Sequence, residues 1–119
     1  MLSGNTAYMD RTNEFRAIVR RVFAKVARMM ASVEGLNTEL ICDESKGHYQ
    51  LGQVGWDGRR RIDDIYLHVD VYDDRVWIQH DGTDLPIAEA IAREGRPKSS
   101  IVLAFYPPEL RQYTDYAAA

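Results

Sequence analysis

Apolar residues recur every three to four positions between Phe15 and Met30 and then, from Thr38 onward, at every second position, so one long helix must precede a sheet. Phe15, Ile18, Val19, Val22, Phe23, Val26, Met29 and Met30 gather into one stripe along that helix. Asp10 or Thr12 is placed to cap its start, because a short side-chain oxygen accepts from otherwise unpaired amides, and Gly35 to stop it. Arg16 and Arg20 flank the stripe on one edge, and Arg21, Lys25 and Arg28 on the other.

After the helix the period of two predicts strands at Thr38–Asp43, His48–Trp56, a third run ending at Tyr72, and Arg75–His80. In the third run Ile65, Leu67, Val69 and Val71 point one way and Tyr66, His68, Asp70 and Tyr72 the other. Glu44 to Gly47 reads as a turn, Asp57-Gly58 as a type I′ hairpin loop, and Asp73-Asp74 as another turn. Val76 and Ile78 continue the core face of the fourth strand, with Trp77 and Gln79 opposite. Thr83 then caps a second helix with Pro86 in its first turn, Ile87 and Ile91 on its apolar edge and Gly95 at its end. Ile101–Phe105 follows as a buried extended segment or fifth strand, stopped by Pro107 and Pro108. The expected fold is α+β: a long N-terminal helix packed on a four-stranded antiparallel meander, followed by a second helix and a C-terminal extended segment.

A chain of 119 residues, 45% hydrophobic and 28% charged, has the makings of one soluble domain, taken here as residues 10–119 after a disordered start at 1–9. The N-terminal MLSGNTAYMDRT has neither the basic nor the apolar region of a signal peptide, which points to a cytoplasmic protein without membrane association. Cys42 is the single cysteine and has no internal partner. A formal charge of -3 weighs against attraction to phosphate, since non-specific DNA binding is driven mainly by cations.

Catalytic signatures are sparse. His68 and Asp70 share a strand face at i, i+2, a spacing open to metal ligation or proton transfer, but His48 is expected elsewhere in the sheet and a structural zinc site needs about four ligands. Asp63 and Asp64 with Asp70 resemble a magnesium cluster, yet aspartates at hairpin ends are ordinary turn residues. The reading is a polar sheet face on a non-enzyme with no catalytic residue, metal or cofactor. The aromatics Tyr49, Trp56, Tyr66, Tyr72 and Trp77 are concentrated on the strands, where three coverings are open: the chain's own C-terminal half, a protein partner or second copy, or stacked bases. Trp56, Tyr66, Tyr72, Trp77, Arg111, Tyr113 and Tyr116 form the candidate partner or dimer surface. Arg16, Arg20, Arg21, Arg59, Arg60 and Arg61 are the alternative, as DNA contacts.

Four segments carry a resemblance, in order along the chain: HYQLGQVGWDGRRR from His48, HVDVYDDRVWIQHDGTDLPIAEAI from His68, GRPKSSIVLAF from Gly95 and IVLAFYPPELRQYTDYAAA from Ile101. Together they resemble the XisI-like family, the fdxN-element excision controlling factors of cyanobacteria, from about Asp10 to the C-terminus. The resemblance implies an accessory factor in DNA element excision, working beside an XisH-like, nuclease-like companion, and offers no catalytic residue to transfer. Two departures stand out: Ala104 and Tyr106 replace Gly and His, and Asp74-Arg75 replaces a Gly-Lys type of turn.

Overall fold

The computed structural model describes residues 3–31 and 33–118, with side chains from Thr12 onward. Helix α1 spans Ser3–Met30 and is followed by strands β1 (Leu36–Asp43), β2 (His48–Asp57), β3 (Arg60–Tyr72) and β4 (Arg75–Asp81). Helix α2 (Ile87–Arg93), strand β5 (Ile101–Leu103) and the short helix α3 (Pro108–Arg111) complete the chain. The helix starts well before the expected cap: residues 3–9, read as a disordered start, belong to α1, and Thr12 lies inside it. No proline interrupts that stretch, so nothing in the backbone stops the helix from extending backwards. The side chain of Asp10, the other expected cap, lies outside the described residues.

The sheet has five strands in the order β1-β2-β3-β4-β5, rather than four. The first three pairings are antiparallel, but β5 runs parallel to β4, with Val76 opposite Ile101 and Ile78 opposite Leu103. Parallel neighbours need a crossover, and α2 supplies it. β1 to β4 are the expected antiparallel meander, and of the two readings of residues 101–105 the fifth strand holds; three apolar residues without alternation do not reveal its parallel pairing.

One face of the sheet holds the core. Val19 and Phe23 of α1, with Leu51, Leu67, Val69, Val76 and Ile78 beneath them, are essentially sealed from solvent. Cutting Phe23 back to alanine would cost about 3–5 kcal/mol by the usual cavity penalty. Ile87 and Ile91 of α2 enter this same core, and Arg21 Nε of α1 donates to Glu94 Oε1 just beyond α2 at 2.8 Å. Both helices therefore cover the same face. Thr83 does not cap α2: its hydroxyl donates to Asp81 Oδ1 at 2.6 Å and accepts from the Leu85 amide at 3.2 Å, closing a turn before Pro86.

The turns follow local sterics. Gly58 has φ of +63° and Arg59 lies outside the positive-φ set, so the β2–β3 loop is Gly58-Arg59 with the sign pattern of a type II′ turn, one residue later than expected. Asp73 and Asp74, with φ of 53° and 59°, make the type I′ turn instead. Gly47 is held at φ +70°, and a Cβ there would stand 2.3 Å from the carbonyl oxygen of Val71.

Candidate functional site

Two bulges set the chemistry of the open sheet face. The register of β2 on β3 slips by one residue between Leu51 and Gly52, leaving Tyr66 unpaired, and that of β3 on β4 slips between His68 and Val69, leaving Gln79 unpaired. A bulge reverses which face the following residues occupy. Hence Ile62 is buried in the core while Ile65, expected there, is 42% exposed on the outer face beside Ile41 above Gly52.

The same slip aligns His48 of β2 opposite Asp70 of β3. His48 Nδ1 lies 2.6 Å from Asp70 Oδ1 and His68 Nε2 lies 2.9 Å from the same oxygen. Gln79 Nε2 donates to Asp70 Oδ2 at 3.0 Å, so each carboxylate oxygen is engaged. Asp70 is buried although it stands on the open face, whereas the His48 side chain is about half exposed. His48 therefore does not lie elsewhere in the sheet, as the sequence suggests: counting back from the observed Gly58-Arg59 loop without a bulge would set it opposite Val69 on the core side, and the extra Tyr66 moves its partner to Asp70.

Around this cluster the face is apolar and open. Tyr72 and Trp77 stack in parallel with centroids 4.7 Å apart, and Trp77 Nε1 donates to the Tyr72 carbonyl at 3.1 Å. Partial burial, with Asp70 and Asp73 nearby, raises the Tyr72 hydroxyl pKa. At the other end of β2, Trp56 is 53% exposed with the Arg61 guanidinium 5.4 Å from its ring centroid. Tyr66 sits at the bulge, half buried.

The C-terminal candidates divide. Arg111 is committed within the chain, donating to the carbonyls of Tyr106 and Ala104 at 3.0 and 3.1 Å. Tyr116 packs against the core with Lys98 over its ring, and the Ala117 amide donates to the Ile101 carbonyl at 2.8 Å. Tyr113 alone of the three projects, at 79% exposure.

The arginines do not form one patch. Arg20 Nη1 donates to both oxygens of Glu44 at 2.9 and 3.0 Å, in the β1–β2 turn, and Arg21 is bound to Glu94. The Arg16 Nε atom is buried. Arg59, Arg60 and Arg61 belong to the β2–β3 hairpin, at the opposite end of a ten-residue strand about 33 Å long.

The family model described as XisI protein matches residues 9–118. The chain belongs to the XisI family. Its fold is that of an XisI-like protein from Anabaena variabilis ATCC 29413, at 34% identity and a TM-score of 0.84 over 91% of this chain and 99% of that one. It is likewise similar to the fdxN element excision controlling factor XisI from Anabaena variabilis ATCC 29413, at 28% identity and a TM-score of 0.79 over 92% and 99% of the two chains. No curated protein matches the chain. Among the described residues no helix is long and apolar enough to cross a membrane. Two of the four XisI-like segments meet on the outer face: the first contributes His48 and Trp56, the second His68, Asp70, Tyr72, Trp77 and Gln79.

Proposed function

We propose that this XisI-family chain is a non-enzymatic accessory factor in the excision of a DNA element, acting through protein contacts made by the outer face of its sheet. The observation that carries this reading is the exposed face itself: α1 and α2 lie on the other side, and Ile41, Trp56, Ile65 and Tyr72 are each more than two-fifths exposed. Several exposed large apolar side chains around a rigid strand scaffold are the anatomy of a contact surface, with aromatic anchors supplying area at low entropic cost. The relative named as an excision controlling factor supports the process. The partner is an XisH-like protein, with a second copy of this chain as the competing occupant.

Direct DNA binding draws less support. Arg20 and Arg21 are neutralised by Glu44 and Glu94, and the hairpin arginines stand at the far end of the sheet. Co-purification with an XisH-like protein, comparing the native chain with a Trp56→Ala/Ile65→Asp variant, tests the reading. Retention by the native chain and loss in the variant support it; equal retention, or none at all, counts against it.

A further inference from the structure

We propose that His48, His68 and Asp70 form a binding site for one transition-metal ion of the zinc class on the outer face of the sheet. Their ligand atoms, Nδ1, Nε2 and a carboxylate oxygen, lie within 4.8 Å of one another, close enough for a small adjustment of the two rings to bring all three onto one ion. Two imidazoles with one carboxylate is a donor set for zinc, cobalt, nickel or iron(II), and a poor one for magnesium or calcium, which prefer oxygen throughout. Both rings donate to the same Asp70 oxygen at 2.6 and 2.9 Å. A metal ion bound to these two nitrogens takes the place of their protons; each neutral imidazole carries its single proton on the opposite nitrogen instead, a change of tautomer with no net proton lost.

The surroundings match what such an ion requires. Gln79 Nε2 holds Asp70 Oδ2 at 3.0 Å, which turns Oδ1 toward the histidines and fixes the carboxylate as a one-oxygen ligand, the supporting contact metal sites usually show. All four side chains come from β2, β3 and β4, so strand hydrogen bonding fixes their spacing. The histidines also line a depression with Ile41, Cys42, Asp43 and Gln50, which leaves room for water or a partner's side chain to complete the coordination. Sequence spacing hid this third ligand because the bulge at Tyr66 brings His48 across.

The test uses the full-length chain without an affinity tag, stripped of metal and titrated with zinc by calorimetry and with cobalt(II) by visible absorption. One ion per chain is expected, with cobalt giving the d–d bands of a mixed nitrogen–oxygen site. His48→Gln and His68→Gln should each weaken binding by at least about tenfold while the circular dichroism stays native. His48 is half exposed, so its replacement leaves the fold intact and keeps the test valid even if His68→Gln unfolds. Failure of the native chain to take up one ion, or undiminished uptake by folded His48→Gln, would overturn the proposal.

Discussion

The hydroxyl of Tyr49 donates a 2.8 Å hydrogen bond to Glu44 Oε2 from a ring that solvent does not reach. The same carboxylate accepts from Arg20, so the β1–β2 turn is tied to α1, and Phe23 meets the Tyr49 ring edge-on at 6.3 Å. Burial first, and the neighbouring Glu44 second, push the Tyr49 hydroxyl pKa well above its ordinary value. In the unfolded chain it ionises near pH 10; in the folded chain it stays protonated well beyond that. Stability is therefore complete below pH 10 and falls as pH rises above it, by up to about 1.4 kcal/mol per pH unit. Urea unfolding of the native chain and Tyr49→Phe at pH 8 and pH 11 checks this. The variant should lose about 1–2 kcal/mol at pH 8 and show the shallower alkaline decline.

Acid acts through different groups. The Ser45 hydroxyl beside Asp43, and the Arg21 guanidinium beside Glu94, hold these carboxylates below their ordinary range. A depressed folded pKa means that the unfolded state takes up protons first as pH falls, so this stabilisation is present above about pH 4.5 and is lost below it. Thermal denaturation from pH 6 to pH 3 should show a falling midpoint, with a smaller fall in Arg21→Ala.

Backbone sterics give two predictions of opposite sign. Gly47→Ala puts a methyl carbon against the Val71 carbonyl at positive φ and should cost at least about 2 kcal/mol. Asp73→Asn, at φ 53° in the type I′ turn, keeps the shape, suits the left-handed region better and removes one of two adjacent negative charges; a gain of roughly 0.5 kcal/mol is expected. Denaturant midpoints measure both.

Much of this architecture is legible in the residues. The stripe from Phe15 to Val26 is buried as its spacing demands, and the strand positions follow the alternation of Val69, Val71, Val76 and Ile78. What escapes is anything decided by an odd residue. Tyr66, one extra in β3, moves Ile65 out of the core and carries His48 to Asp70, while Gln79, one extra in β4, sets Trp77 opposite Asp70, and no local propensity marks a bulge at either place. The parallel β5 escapes for another reason: its partner is fixed by the crossover through α2, a tertiary decision that three apolar residues cannot encode. The intrachain ties of Arg111 and Tyr116 escape as well, because their long side chains give no sign of the carbonyls and core surface that hold them.

Duplex DNA should bind weakly. With Arg20 and Arg21 paired to carboxylates and a formal charge of -3, few phosphates can be neutralised at once. A shift assay at low salt is expected to show no sub-micromolar complex. A tight complex that weakens steeply with salt and disappears in Arg16, Arg20 and Arg21 to Ala variants would favour the DNA reading.

The outer sheet face as a protein-contact surface is tested most directly by light scattering coupled to size exclusion, on the chain alone and mixed with an XisH-like protein at tens of micromolar. An assembly larger than the 13.6 kDa chain is expected, reduced to monomer by Trp56→Ala/Ile65→Asp with the fold retained. A native chain that stays monomeric alone and in the mixture, or an assembly that the double variant leaves intact, would contradict it.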